Sequence, residues 1–111
     1  MNKHEVYIPI LYDSRIPFHQ MKEICAGLEE EGVPFQLYQR DEILDFVQLG
    51  ALAASMSPLQ VGIGVDQQGN SCLHHEKLRQ AEPYLKDRLI NGRRLGKNAA
   101  RLVKGLPLYF L

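Results

Sequence analysis

The sequence predicts an α/β fold in which a mostly parallel sheet carries one antiparallel strand. A continuous apolar run at residues 6–12 is typical of a strand buried on both faces. Apolar residues at helical spacing follow it, and the alternating segment 35–38 comes next, so the three together predict a right-handed strand–helix–strand unit. Further along, a polar turn at residues 66–70 separates two short alternating segments, which predicts an antiparallel hairpin.

In the first strand–helix–strand unit, Pro9 argues against a central strand, whereas the cap and the apolar stripe that follow indicate a regular helix. Pro9 cannot donate to a neighbouring strand, so it weakens the case for full pairing on both sides. Asp13 or Ser14 is expected to cap the first helix. The buried stripe of that helix is predicted to contain Phe18, Met21, Ile24, Cys25 and Leu28. Cys25 is therefore interpreted as a core thiol rather than a nucleophile, which would need a base and an electropositive setting.

A second helix is expected to begin at Asp41, and Gly50 together with the tail at residues 53–57 indicates that it ends irregularly. Pro58 closes that segment, and residues 59–65 form the third predicted strand, near the centre of the sheet. The buried side of the helix is predicted to contain Ile43, Leu44, Val47, Leu52 and Ala53.

Two short motifs favour structural interpretations. Gly62 and Gly64 lack the third glycine of a dinucleotide-binding turn, because position 67 is Gln, so they are interpreted as positions where a helix packs closely on the strand. His74 and His75 are adjacent in the predicted fourth strand and would point to opposite faces, so they are interpreted as strand-surface residues rather than metal ligands.

The last third of the chain is partly ambiguous. Within residues 76–91, the segments 83–85 and 88–90 could contain a fifth strand, although the charges between them favour a helix. The final helix is clearer, since it ends at Gly105 and Pro107, and a short apolar tail at residues 107–111 is expected to pack on the body or on a partner. Its predicted buried face contains Leu95, Ala99, Leu102 and Val103.

An acidic turn ends the first predicted helix. Glu29, Glu30 and Glu31 directly precede Gly32, which suits a left-handed residue after the helix, and Pro34 cannot continue the helix. Carboxylates at this end oppose the helix dipole and repel one another. The turn is either a solvated acidic corner or a cluster that meets a cation, from a metal or from a partner protein.

The C-terminal third is basic and faces only one acidic residue in its own segment, Asp87. No aromatic residue is interleaved with these cations, which argues against nucleic acid as the partner. Two interpretations remain, a solvated face and a docking face for an acidic partner. The basic residues are Lys86, Arg88, Arg93, Arg94, Lys97, Arg101 and Lys104.

Composition predicts one domain spanning residues 1–111. The chain is 45% hydrophobic and 23% charged, with a net charge of zero, so its overall charge favours no polyanionic partner and does not oppose self-association. Cys25 and Cys72 are too far apart for metal-binding spacing and are expected to stay reduced. No apolar run reaches the roughly 18 residues of a membrane span, and no signal peptide is recognisable, so a cytoplasmic protein is expected.

Two blocks of sequence resemble the small subunit of the diol/glycerol dehydratase-reactivating factors, which are chaperone-like partners of coenzyme B12-dependent dehydratases. The first is Gly-Leu-Glu-Glu-Glu-Gly-Val-Pro-Phe at residues 27–35. The second combines Ser-Pro-Leu-Gln-Val-Gly-Ile at residues 57–63 with the closing block at residues 96–107. The dehydratase medium subunit shares the glutamate–glycine turn and the Gly-Lys-Asn-Ala-Ala-Arg block, but it is much longer, so length favours the reactivase subunit.

The resemblance implies a three-layer α/β/α fold, like that of anticodon-binding domains, with a mixed five-stranded sheet whose fourth strand is antiparallel. It implies a non-catalytic subunit that joins a large ATP-binding subunit in a complex of two large and two small subunits. In this family the small subunit takes the place of the dehydratase medium subunit, contacts the dehydratase large subunit transiently and thereby lets inactivated cobalamin leave. The resemblance leaves open whether a bacterial microcompartment encloses the complex.

The resemblance also implies a metal site at the acidic turn. Family members use the middle glutamate as a ligand for a divalent ion shared with the large subunit, and here that position is Glu30. Mg²⁺ prefers such carboxylate oxygens, and Glu29 or Glu31 remain alternative ligands. The predicted interface comprises Glu29, Glu30, Glu31, Lys97 and Arg101. Two other functions stay open, a medium-subunit-like component of the dehydratase that holds cobalamin and a free-standing homo-oligomeric adaptor.

Overall fold

The computed structural model describes residues 6–109, which form a mixed sheet with helices on both faces. The strands are β1 (Ile8–Asp13), β2 (Phe35–Arg40), β3 (Val61–Val65), β4 (Asn70–His75) and β5 (Leu85–Arg88). They lie in the order β2-β1-β3-β4-β5. β1 pairs in parallel with β2 and β3, whereas β4 is antiparallel to both β3 and β5. This confirms the predicted sheet and its antiparallel fourth strand.

Three helices complete the three layers. α1 (Lys22–Glu30) and α3 (Gly92–Lys104) pack side by side on one face of the sheet, and α2 (Phe46–Met56) covers the other face. Short 3-10 turns, Phe18–Met21 and Leu89–Asn91, lead into α1 and α3. The larger core cluster lies under α1 and α3 and includes Ile8, Ile10, Ile24, Leu28, Ile63, Leu73, Leu95 and Ala99.

The glycines of β3 let α2 lie against the sheet, as predicted. A Cβ on Gly62 would be 2.3 Å from the backbone nitrogen of Ala54, and one on Gly64 would be 2.2 Å from that of Gly50. Gly50 does not interrupt the helix, since α2 continues through it and ends at Met56, within the tail at residues 53–57 where the end was expected. Gly50 is needed inside the helix for the close approach to β3.

The start of the first helical segment differs from the prediction. Neither Asp13 nor Ser14 caps it, and the 3-10 turn follows Pro17 without a side-chain cap. Because a 3-10 turn has about three residues per turn, it rotates Phe18 off the helical stripe. Phe18 is 60% exposed, and Cys25 is only half-buried, so both are incorrectly predicted core residues.

The start of α2 was also predicted at the wrong aspartate. Asp45 is the N-cap, since its side chain accepts a hydrogen bond from the Gln48 backbone N–H at 2.7 Å. The Gln48 side chain in turn accepts from the Asp45 N–H at 2.9 Å, which completes a capping box. Asp41 therefore lies in the loop before the helix, and Ile43, predicted as buried, is 89% exposed.

Pro9 is compatible with a central strand because of its position. The Ile8 N–H donates to the Pro34 carbonyl on the β2 side, so the missing N–H of Pro9 would point toward β3. Pairing between β1 and β3 begins only at Ile10, so no bond of that ladder is lost.

His74 is a buried residue, not a surface one as predicted. It is 1% exposed, and its ring nitrogens lie 3.1 Å from the His75 carbonyl oxygen and 3.0 Å from that of Gln80. The ring thus holds the loop after β4 against the domain. That loop leads into β5, so the strand interpretation of the ambiguous segment is the correct one for Leu85–Arg88.

Candidate functional site

The acidic turn has a fixed backbone geometry. Gly32 adopts a left-handed conformation with φ of 76°, as predicted. Its N–H donates to the Glu29 carbonyl at 3.0 Å, and the Val33 N–H donates to the Leu28 carbonyl at 3.1 Å. This is a Schellman motif, and the side chains of Val33 and Leu28 belong to the same core cluster. The three glutamates therefore project from an anchored helix end.

α3 runs parallel to α1 at backbone contact. A Cβ on Gly27 would lie 2.2 Å from the Arg93 carbonyl oxygen, and one on Gly96 would lie 2.2 Å from the Ile24 carbonyl oxygen. Both helices therefore end on the same side of the domain. The cations in the second half of α3 are consequently brought alongside the acidic turn.

Glu30 lies between two of these cations. One carboxylate oxygen is 2.7 Å from an Arg93 guanidinium nitrogen, and the other is 3.2 Å from Lys97 Nζ. Arg93 also binds Glu23, with its Nε 3.0 Å from the carboxylate. These contacts with Glu23 and Glu30 raise the pKa of Arg93, Glu23 contributing the larger effect.

Glu31 is more deeply buried than Glu30, although its side-chain ion pairs are longer. It pairs with Arg101 at 3.6 Å and with Lys104 at 3.4 Å, and its side chain is 14% exposed against 44% for Glu30. Lys104 Nζ also donates to the Glu31 backbone carbonyl, so it neutralises the negative end of the α1 dipole. The cation that the acidic turn requires is thus supplied by α3 of the same chain, an arrangement that the sequence analysis did not consider.

Glu29 lies on the other side of α1. It is exposed and lines an open groove of about 300 Å³ between α1 and the edge strand β2. Burial, followed by the charge of Glu29, raises the pKa of the neighbouring Cys25 thiol to about 11. The other residues lining the groove are Phe18, Met21, Lys22, Phe35 and Leu37.

The C-terminal tail packs on α3 through Asn98, a residue that the sequence analysis did not select. The Asn98 side chain is buried, donates to the Tyr109 carbonyl at 2.8 Å and accepts from the Tyr109 N–H at 2.6 Å. The guanidinium carbon of Arg101 lies 4.2 Å from the centre of the Tyr109 ring, and Lys97 Nζ lies 5.8 Å from it. The predicted packing of the tail on the body is confirmed as far as Tyr109, and residues 110–111 lie outside the described part of the chain.

Two of the predicted interface residues therefore lie between the acidic turn and the tail. Lys97 contacts Glu30 on one side and faces the Tyr109 ring on the other, and Arg101 does the same with Glu31. The basic face, for which a solvated surface and a docking surface were both open, has acidic partners within the chain. The available sequence signal for the role of Asn98 was an amide one helical turn from both Leu95 and Leu102 in the predicted buried face.

The acidic turn can supply one carboxylate ligand to a metal site that is shared with another chain. Among residues 6–109, no group of three or more His, Cys, Asp or Glu side chains is arranged to hold an ion. Glu30 nevertheless presents a carboxylate on a half-exposed side chain, and hard carboxylate oxygen atoms are ligands that Mg²⁺ prefers. Further ligands would have to come from another chain or from water.

Comparison with known proteins gives the family. The family model described as "Dehydratase medium subunit" matches residues 7–109. The propanediol dehydratase-reactivating factor small subunit of Citrobacter freundii is 39% identical over 77% of this chain and 75% of its own length. The subunit of the same name from Salmonella typhimurium is 36% identical over 92% of this chain and 87% of its own. The chain belongs to the family of dehydratase-reactivating factor small subunits.

Solved structures agree with this assignment. A glycerol dehydratase reactivase chain superposes with a TM-score of 0.90 at 40% identity, covering 96% of this chain and 98% of that one. A chain of a diol dehydratase-reactivating factor, solved in complex with ADP and Mg²⁺, superposes with a TM-score of 0.85 at 32% identity and covers 96% and 100%. In the part of this subunit that the structure describes, no helix has the length and hydrophobicity needed to span a membrane.

Proposed function

We propose that this small subunit acts by subunit exchange, replacing the medium subunit of a coenzyme B12-dependent diol or glycerol dehydratase so that inactivated cobalamin can leave. The observation that carries the proposal is the match to a glycerol dehydratase reactivase chain over 96% of this chain at a TM-score of 0.90. The subunit itself performs no bond chemistry in this scheme. The small subunit forms a complex with the large reactivase subunit, and the large subunit binds ATP.

Glu30 is the proposed metal ligand at the contact with the large subunit. Glu31 is covered and held by two cations, and Glu29 faces the groove beside β2, so Glu30 is the carboxylate that is both accessible and on the α3 side. A bound Mg²⁺ would link this carboxylate to oxygen ligands of the partner. Lys97, which contacts Glu30, and Arg101, which contacts Glu31, complete the proposed interface on α3.

The test uses this subunit co-expressed with a large reactivase subunit. Gel filtration in Mg²⁺ and in EDTA is compared for the wild type, Glu30→Gln and the matched control Glu29→Gln. The complex is expected to form in Mg²⁺, to weaken in EDTA and to weaken with Glu30→Gln but not with Glu29→Gln. The wild-type complex should also restore activity to a cobalamin-inactivated dehydratase when ATP is present.

Each part of the proposal can fail separately. If the amount of complex changes neither in EDTA nor with Glu30→Gln, the proposed metal role is wrong, whereas the proposed subunit exchange still stands. A chain that binds no large subunit and elutes as its own oligomer would favour a homo-oligomeric adaptor instead.

A second candidate is a medium-subunit-like component of the dehydratase itself, which the description of the matching family model favours. Such a component would hold cobalamin directly. Adding cobalamin to the purified chain and recording its absorption spectrum separates the two functions, since the reactivase subunit is expected to leave the spectrum unchanged.

A further inference from the structure

The ion pairs of Glu30 with Arg93 and Lys97 can break while α1 and α3 stay in contact. Arg93 has a second acceptor, because its Nε and a terminal nitrogen lie 3.0 Å and 3.3 Å from the two carboxylate oxygens of Glu23. Lys97 forms one ion pair within residues 6–109, with Glu30, and its Nζ already lies 5.8 Å from the Tyr109 ring. Each cation thus has an alternative position when Glu30 is engaged elsewhere.

Glu31 behaves differently from Glu30. Arg101 and Lys104 both contact its carboxylate, and Lys104 also binds its backbone carbonyl, so the end of α1 stays attached to α3 through this residue. Arg101 is itself stacked on the Tyr109 ring. The turn therefore contains one anchored carboxylate and one that is half-exposed and releasable.

We infer that Arg93 and Lys97 compete with the metal ion for Glu30 and so suppress cation binding by the free subunit. This inference rests on the proposed metal role of Glu30. A divalent ion at Glu30 would lie close to a guanidinium and an ammonium group, and this repulsion lowers its affinity. Docking of the large subunit brings further ligands, and Glu30 then leaves Lys97 and Arg93 for the ion. In the free subunit, Glu30 is therefore paired with Arg93 and Lys97 rather than with a metal ion.

The experiment measures how much Mg²⁺ is needed for the complex to form. Complex formation between the large subunit and this subunit is titrated with Mg²⁺ for the wild type, Lys97→Met and Lys104→Met. Both variants remove one positive charge from the same helix, but Lys104 contacts Glu31 rather than Glu30. Lys97→Met is expected to lower the Mg²⁺ midpoint about five- to tenfold, the size expected when one unit charge is removed about 4–6 Å from a divalent ion in water and salt screens their repulsion. Lys104→Met should shift it by less than about twofold, because its charge lies beside a different carboxylate.

A second variant and a second measured quantity distinguish competition at Glu30 from a direct contact between Lys97 and the large subunit. Lys97→Gln, which keeps a polar head group, should shift the midpoint in the same direction as Lys97→Met. If Lys97 only contacts the partner, its removal will reduce the complex at saturating Mg²⁺ and will leave the Mg²⁺ midpoint unchanged or raise it, which overturns the inference. Equal shifts for Lys97→Met and Lys104→Met would overturn it as well, since they would indicate a general charge effect.

The outcome for the wild type separates this inference from the proposed function. A wild-type complex that forms equally well in EDTA overturns the metal role and the competition together. A complex that needs Mg²⁺, but whose midpoint does not move in Lys97→Met, leaves the metal role standing and overturns only the competition.

Discussion

A methyl group on Gly96 of α3 would lie 2.2 Å from the carbonyl oxygen of Ile24 in α1. Backbone atoms cannot move aside as a side chain can, so glycine is required for the two helices to approach this closely. The approach places Arg93 and Lys97 within reach of Glu30. The geometry of the proposed interface therefore depends on a residue that carries no side chain.

Gly96→Ala is expected to lower the free energy of unfolding by about 3 kcal/mol, because the added methyl group forces α3 away from the sheet and from α1. Urea unfolding followed by circular dichroism measures this. Gly105→Ala is the control, since Gly105 has a φ of 72° but an added Cβ there meets nothing within 4 Å. Its cost should be limited to backbone strain of about 1 kcal/mol. Equal losses in the two variants would contradict the close-packing argument.

Asn98→Ala is expected to release the tail and to destabilise the domain by about 1–3 kcal/mol, because a buried amide that makes two hydrogen bonds to Tyr109 is lost. Amide hydrogen exchange at Tyr109 should become much faster. Tyr109→Phe, which removes only the hydroxyl that accepts from Arg101, should leave exchange at position 109 protected. Unchanged protection in Asn98→Ala would show that the tail is held by other contacts.

Asp13 is expected to contribute to stability at neutral pH and to lose that contribution in acid. The side-chain hydrogen bonds from Arg15 lower the pKa of this nearly buried carboxyl group in the folded state. Its stabilising effect is therefore complete above the unfolded pKa of about 3.9 and disappears as the pH falls through the lower folded value. Urea unfolding between pH 2 and pH 7, at about one-unit steps, should show a smaller acid-side slope for Asp13→Asn than for the wild type.

Glu42→Gln provides the comparison for this measurement. Its pKa is also lowered by an arginine, Arg40, but the pair lies at the surface, where solvent screens it. Relative to the wild type, the dependence of the free energy of unfolding on pH in acid should change less for Glu42→Gln than for Asp13→Asn. The reverse order would contradict the assignment of acid sensitivity to Asp13.

The two thiols are expected to react slowly and in a fixed order. Burial raises the pKa of Cys25 to about 11 and that of Cys72 to about 12, so little thiolate is present at neutral pH. Cys25 is half-buried whereas Cys72 is fully buried and donates to the Phe46 carbonyl. A disulfide reagent should therefore modify Cys25 first. The rate of modification should be higher in Cys72→Ala, which keeps Cys25, than in Cys25→Ala, which keeps Cys72. Faster modification of Cys72 in the native protein would contradict the structure, and in denaturant the two rates should converge.

The errors of the sequence analysis have local physical causes. Phe18 was assigned to the buried stripe because α-helical spacing was assumed, but the chain there forms a 3-10 turn. Asp41 and Asp45 are both plausible caps, and only the reciprocal bonds with Gln48 select Asp45. His74 appeared to be a surface residue because alternation along a strand gives no information about a loop that later covers one face.

Sequence alone was enough to predict the first four strands and their helices, the left-handed turn at Gly32, the antiparallel hairpin and the close packing at Gly62 and Gly64. These features depend on periodicity and on backbone conformations that few residues adopt, so they can be inferred from neighbouring positions. The contacts of the acidic turn, in contrast, are visible only in the folded domain. Glu30 is 63 residues from Arg93 in the chain, and their contact exists because two parallel helices meet at Gly27 and Gly96. A charge pattern specifies which groups need partners, but packing decides which partners they find.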